Sequence, residues 1–307
     1  MESVISMLPK KVAEVVRRLP PTIVEEMEEI RLRTFRPVEV CTRGNPYFLP
    51  YTFTEEDAEH LINRLSNHSF YTLEEELKRG YITIEGGHRV GLAGKVVLEQ
   101  GMVKGLRQLS SFNIRIARQK IGVGEPLIPF LFDGTWRHTI IIGSPQTGKT
   151  TLLRDLARII SSGYEPFGIP AMKVGIVDER SEIAGCLRGI PQLDFGYRVD
   201  VLDGCPKAEG MMMMIRSMSP DVLIVDEIGR EEDGKAIMEA MNAGITLLTT
   251  THGKNLEDIQ KRPILQQILK EQRFQRFIEL NRQKGPGSVA HIRGENGEYL
   301  DRKVSVT

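Results

Sequence analysis

Cysteine is scarce in this chain. Its 307 residues include three, Cys41, Cys186 and Cys205, widely separated and in no metal-ligand spacing. That argues against a disulfide framework and suits packed thiols in a reducing cytosol. Aromatic residues amount to 6%, with one tryptophan, so an aromatic-rich surface for stacking nucleic-acid bases is not expected. An excess of one charge is missing too: 41 Lys and Arg balance 41 Asp and Glu. Bulk-charge coating of nucleic acid is disfavoured, although a local basic face stays open. No apolar run approaches the roughly eighteen residues that a membrane span needs. Met1-Glu2-Ser3 opens no charged, apolar signal sequence. The chain is therefore expected to be cytoplasmic, with any membrane association made through a partner.

What is present is ordinary for a folded protein: 40% apolar and 27% charged residues, with length for two compact domains or one large one. Residues 1–120 read as an α+β N-terminal domain. Helices are expected through Lys11–Arg18 and from Thr22, where Thr22 and Glu25 have capping-box spacing. Extended segments follow around Val38–Cys41 and Tyr47–Leu49. Thr54 opens a helix with Leu61, Ile62 and Leu65 at helical spacing, and Thr72 with Glu75 forms another capping box. Tyr81–Ile116 reads as consecutive strands joined by glycine turns, an antiparallel sheet. Ile121–Trp136, which carries Gly122, Gly124, Pro126 and Pro129, reads as a linker or first helix, which puts the domain boundary near residue 121.

Residues 121–307 alternate strand and helix. Strands at Thr139–Ile142, Met172–Val177, Val222–Val225 and Ile245–Thr250 interleave with helices at Lys149–Ile160, Pro206–Met218 and Ala236–Met241. Short strands apolar on both faces predict a mostly parallel sheet covered by helices. Met211–Met214 reads as helix core. A basic helical stretch is expected from Leu256 to about Arg282, and Lys261–Lys284, which overlaps it, reads as a solvated helix face. Ser288–Ile292 and Glu298–Val306 flank a turn at Gly294–Gly297 and predict a hairpin.

Gly143-Ser144-Pro145-Gln146-Thr147-Gly148-Lys149-Thr150 fits the Walker A pattern G-x-x-x-x-G-K-[ST] at every fixed position. The glycines let main-chain N–H groups wrap phosphates, Lys149 brings charge to the β/γ-phosphates, and Thr150 offers a hydroxyl to Mg²⁺. Thr151 continues into a helix whose positive end faces the same place. Farther on, the apolar run Val222–Val225 ends in Asp226 and Glu227. Asp226 is placed to hold Mg²⁺ through its water shell, and Glu227 to orient or deprotonate the attacking water. Asp178 and Glu179 follow another strand, where ligands collect in parallel sheets; a local salt bridge with Arg180 is the alternative. His252, after Thr251, is either a γ-phosphate sensor or a loop residue. Arg230 reads as an exposed surface arginine, with a phosphate or subunit contact as the alternative.

Together, GSPQTGKTTLLRDLAR, VDERSEIAG, RSMSPDVLIVDEIGREED and GITLLTTTHG resemble the stage III sporulation protein AA family, within the wider group of secretion ATPases. EIRLRTFRPVEV and HRVGLAG…FNIRIAR extend the likeness over most of the chain. The resemblance implies an α/β fold: a RecA/AAA-like P-loop ATPase core with a mostly parallel sheet, preceded by a smaller α+β domain. It implies a hexameric motor using Mg²⁺ and ATP on the cytoplasmic face of a membrane-embedded sporulation channel, with no metal beyond Mg²⁺. It places Asp178 and Glu179 in an acidic box, His252 in a histidine box, and Arg115, with Arg89 second, among N-domain arginines that reach nucleotide. Asp226 stands where many secretion motors have glycine, which points to ordinary Walker B magnesium binding and to the sporulation branch. Two other functions fit the P-loop: ATP-dependent nucleic-acid remodelling, disfavoured by the neutral charge, and a nucleotide switch with little hydrolysis.

Overall fold

A computed structural model describes residues 1–42, 44–66, 74–271, 274–283 and 287–301. The capping box expected at Thr72 and Glu75 rests on Thr72, which lies outside this set. The chain divides into two compact units, Met1–Arg118 with Gly185–Arg188, and Gln119–Ala184 with Gly189–Thr307.

The first unit runs through α1 (Glu2–Met7), α2 (Lys10–Arg17), α3 (Pro21–Glu26), β1 (Met27–Arg33), β2 (Pro37–Thr42) and β3 (Asn45–Thr52). It continues with α4 (Glu55–Leu65), α5 (Glu74–Arg79), β4 (Tyr81–Ile84), β5 (His88–Glu99) and β6 (Met102–Arg115). Among the described residues, its six strands form one antiparallel sheet in the order β3-β2-β1-β6-β5-β4. Local chemistry accounts for several junctions. The Thr54 hydroxyl accepts the Asp57 N–H while the Asp57 carboxylate accepts the Thr54 N–H, which fixes the start of α4. Between β5 and β6, Gln100 and Gly101 both have positive φ, 51° and 78°, as a tight two-residue hairpin requires.

Helix α3, expected from Thr22, differs from expectation. It starts at Pro21 with Pro20 at its N-cap and no side-chain cap, so Thr22 lies inside the first turn and Thr22–Glu25 is not a capping box. It stops at Glu26, and the chain continues as β1. Met27 and Ile30 are spaced like a helical face. In the strand, a register irregularity between Met27 and Glu29 brings Met27, Ile30 and Leu32 together into the core.

The second unit contains α6 (Ile128–Leu131), β7 (Phe132–Asp133), β8 (Thr135–Trp136), β9 (Thr139–Ile142), α7 (Lys149–Ser162), β10 (Val174–Asp178), β11 (Val199–Asp203) and α8 (Lys207–Met218). After these come β12 (Val222–Val225), α9 (Glu231–Asn242), β13 (Thr246–Thr251), α10 (Leu256–Gln260), α11 (Pro263–Glu271), β14 (Arg276–Asn281) and β15 (Ser288–Arg293). Among the described residues, seven strands form a sheet in the order β11-β10-β12-β13-β9-β14-β15. All neighbours run parallel except β14 and β15. Met211 and Met214 enter the core, whereas Met213 is exposed.

Three features depart from the sequence reading. The basic stretch is not helical throughout: Arg276–Asn281 is a strand, with Phe277, Ile278 and Leu280 buried beside β9. Its acid, Glu279, interrupts the apolar run but is buried too, accepting the Leu256 N–H at 2.8 Å and facing Arg293 at 2.9 Å. The strand β15 pairs back onto β14, while across the Gly294–Gly297 turn only the bridge Arg293↔Tyr299 forms among the described residues. Finally, β11 is an edge strand of sequence Val-Asp-Val-Leu-Asp, and no expectation covered it.

In the first unit, His88 is buried on β5 and its Nδ1 accepts the Ala117 N–H at 2.9 Å. Burial, aided by the N-terminal amine, pushes its pKa down from 6.5 to about 4. The unfolded chain thus takes up this proton before the folded one. Stability from His88 is complete above pH 6.5 and lost as pH falls towards 4, at up to ~1.4 kcal/mol per pH unit. Urea unfolding near pH 7 and pH 5 should show a smaller acid loss for His88→Gln than for the wild type. Equal losses would take His88 out of the acid response.

Candidate nucleotide-binding site

The parallel order brings the carboxyl ends of β10, β12, β13 and β9 to one edge of the sheet, where ligands of such sheets collect. Gly143 follows β9, and a Cβ there would sit 2.3 Å from Thr147 Oγ1, so the loop closes only around glycine. Gly148 has φ +94° and turns the chain into α7. Ser144, Pro145 and Gln146 form the exposed tip, and Thr147 Oγ1 donates to the Ser144 carbonyl at 2.8 Å. Thr151 is half-buried in the first turn of α7. Lys149 Nζ donates to the carbonyls of Gly143 at 2.8 Å and Ser144 at 3.2 Å, and lies 3.0 Å from His252 Nδ1. Burial pushes the lysine pKa down, while Asp226 and Glu227 pull it back up.

A bracing contact comes from far along the chain. Arg282 donates to the Gln146 carbonyl at 3.1 Å and to its Oε1 at 2.9 Å, and the Gly287 N–H donates to the Thr147 carbonyl at 2.6 Å. Gln146 itself has φ 61°. Nothing in the sequence marked Arg282, which reads as one more charge in a basic run.

Asp226 and Thr150 meet at 3.3 Å, Thr150 Oγ1 to Asp226 Oδ2, and the other oxygen of Asp226 accepts the Thr250 hydroxyl. This pair offers oxygen alone beside the phosphate loop, which suits a hard ion such as Mg²⁺ that keeps much of its water. Glu227 has φ 47°, a conformation that residues with a Cβ rarely adopt. Its N–H donates to Thr250 Oγ1 at 2.9 Å, and its carbonyl accepts from Lys207 Nζ at 2.6 Å. Its carboxylate receives Arg180 Nη1 at 3.1 Å and faces His252 Nε2 at 3.1 Å. The two ring nitrogens of His252 therefore span Lys149 and Glu227. With Lys149 donating to Nδ1, the network selects the neutral tautomer carrying its proton on Nε2.

The acids at the end of β10 separate. Asp178 is 1% exposed and accepts the N–H groups of Glu182, Ile183 and Ala184, each at 2.8 Å. Burial nevertheless pushes its pKa up to about 6. It organises its own turn, contrary to the expectation that it faces the nucleotide. Glu179 points into the site, 3.4 Å from Lys207 and 3.7 Å from Arg230, whose side chain is otherwise exposed. Glu179, Arg180, Lys207, Glu227, His252 and Arg262 line a cavity of about 400 Å³. Arg115 belongs to the first unit, with Nε 3.5 Å from Glu29, and Arg89 of that unit lies over the Tyr81 ring.

The Thr250 hydroxyl serves both carboxylate residues at the end of β12. Thr250→Val should lower unfolding stability by about 1–3 kcal/mol, the cost of leaving buried polar groups unpaired. Thr249→Val is the control, since among the described residues that hydroxyl reaches only the Thr250 carbonyl, at 3.5 Å. Equal losses for the two variants in denaturant unfolding would refute the bridging role.

The family model described as sporulation stage III, protein AA matches residues 1–300. Stage III sporulation protein AA of Bacillus subtilis (strain 168) is 56% identical over 306 residues, which cover 100% of this chain and 99% of that protein. Among solved structures, the Yersinia pseudotuberculosis ATPase DotB matches with a TM-score of 0.59 at 14% identity, over 90% of this chain and 77% of its own. The pilus retraction motor PilT, solved with bound ADP, matches with a TM-score of 0.55 at 15% identity, over 86% and 76%. These structures share the fold: a P-loop α/β core with a mostly parallel sheet, together with an antiparallel sheet. By the match along nearly its whole length, the chain belongs to the stage III sporulation protein AA family.

Proposed function

We propose that this chain binds Mg-ATP and hydrolyses it, and that it works as a hexameric ATPase driving a sporulation secretion or channel complex from the cytoplasmic face of a membrane. One observation carries the hydrolytic reading: Glu227 is held by His252 and Arg180 beside the Asp226–Thr150 pair and the lysine of the phosphate loop. A turn that merely capped a helix would not need a carboxylate fixed in a left-handed backbone.

Each group then has a task. The main-chain amides from Gly143 to Thr151 and the positive end of α7 receive the phosphates. Lys149 exchanges the Gly143 and Ser144 carbonyls for β- and γ-phosphate oxygens. Thr150 and Asp226 would hold Mg²⁺, which would supply positive charge to the phosphate oxygens. Glu227 takes the proton of a water whose oxygen bonds to the γ-phosphorus, while the bond to the β–γ bridging oxygen breaks and ADP leaves. His252, already between Lys149 and Glu227, senses the γ-phosphate, and Glu179 holds the cations at the rim. Arg115 is proposed as the added cation of a trans contact, as the resemblance implies. The bound ADP of PilT and the name of the ATPase DotB support nucleotide chemistry on this fold; the name of the Bacillus relative supports the sporulation setting. No helix among the described residues is long and apolar enough to cross a membrane, so the proposed channel component is another chain.

Calorimetric titration with Mg-ATP should show binding by the wild type and by Glu227→Gln, and none by Lys149→Ala at millimolar nucleotide. Phosphate release from Glu227→Gln should be at least about a hundredfold slower than from the wild type. Wild-type turnover in Glu227→Gln would remove Glu227 from the chemistry. Binding without wild-type turnover would leave a nucleotide switch. Sedimentation beside ATPase assays tests the ring: turnover per chain should rise as Mg-ATP assembles it, and a fully active monomer would refute it.

A further inference from the structure

Lys207 stands where a lysine is disfavoured twice. It is the first residue of α8, at the positive end of a twelve-residue helix. It is also only 8% exposed, and a buried ammonium is costly unless it is paired and hydrogen-bonded. Its two acceptors explain its presence. One is the Glu227 carbonyl at 2.6 Å, and the other is Glu179 at 3.4 Å.

Glu227 adopts a left-handed conformation that a residue with a Cβ holds only when its surroundings fix it. From β13, Thr250 takes the Glu227 N–H on its hydroxyl and the Ile228 N–H on its carbonyl, both at 2.9 Å. From α8, on the other side, Lys207 takes the carbonyl of the same peptide unit. We propose that Lys207 is a positioning residue for Glu227: it clamps the Glu227–Ile228 peptide so that the carboxylate meets His252 and Arg180, and Glu179 acts through it by balancing its charge. The inference rests on the role given to Glu227 in hydrolysis. It adds a second function for the acid after β10, since Glu179 then steers the neighbouring strand end instead of touching the nucleotide. Loss of the clamp lets the peptide turn towards an ordinary conformation and carries the carboxylate off its line, while the phosphate loop is untouched.

Lys207→Met keeps the length of the stem and removes the donor. It should bind Mg-ATP within about threefold of wild type, while kcat falls at least about tenfold with little change in KM. Lys207→Arg, which restores a cation and its donors, should recover at least about threefold of that loss. In a Glu227→Gln background, single-turnover rates should fall less than about twofold on adding Lys207→Met, because the two residues act as one unit. Wild-type kcat in Lys207→Met, or the same fold-loss in both backgrounds, overturns the inference. Should Lys207→Met lose its cooperative thermal transition, Lys207→Leu, which likewise has no donor, takes the same measurements and the same criteria. Wild-type protein that binds Mg-ATP without turning it over removes the role of Glu227 and this inference with it. Turnover that falls in Glu227→Gln but not in Lys207→Met removes the inference alone.

Discussion

One threonine hydroxyl ties together the two strand ends on which the site depends. The parallel register sets Val225 beside Thr249, so that Thr250 arrives next to Asp226. Its oxygen donates to the Asp226 carboxylate and accepts the Glu227 N–H. A strand ending in two acids would otherwise splay, because adjacent carboxylates repel and the last N–H groups lack partners. With the hydroxyl in place, Asp226 turns towards Thr150 of the phosphate loop and Glu227 towards His252 and Arg180. The division of labour between two neighbouring acids thus begins as a matter of hydrogen-bond satisfaction.

Charge balance extends this arrangement. Lys149, His252, Glu227 and Arg180 form a chain of contacts at about 3 Å, and Lys207, Glu179 and Arg230 form a second beside it. Each buried or half-buried charge meets an opposite charge or an oriented dipole, which limits the desolvation cost of gathering them. The lysine at the phosphate loop is held by carbonyls alone on one side. On the proposed function, phosphate oxygens would bring full negative charge and replace those carbonyls, so that anion binding and release of the lysine would be the same event.

Much of this was legible in the sequence because the chemistry is local there. The loop from Gly143 to Thr150 is a contiguous pattern, and four apolar residues before Asp226 announce a buried strand. The N-terminal strand β1 was hidden, since a register irregularity made Met27 and Ile30 look helical. The strand β14 was hidden by its own buried pair: Glu279, matched by Arg293, broke the apolar run that would have revealed it. Edge strand β11 lacked the doubly apolar pattern of its neighbours. Lys207 and Arg282 were invisible for a different reason. Their partners, main-chain carbonyls together with Gln146 and Glu179, are brought near only by tertiary structure, and no spacing rule encodes such a contact.

The brace on the phosphate loop has a consequence for how this protein is made. Arg282 follows Gln146 by 136 residues, and Gly287 adds a second tie to Thr147. Because β14 also lies directly beside β9, the strand that leads into the loop has one flank unpaired until that late segment emerges. A ribosome-bound chain halted before residue 276 can pair β9 with β13 but cannot seat the loop from both sides. The loop therefore gains its second brace only once residues 276–287 have joined the fold, and on the proposed function nucleotide binding would wait for the same step.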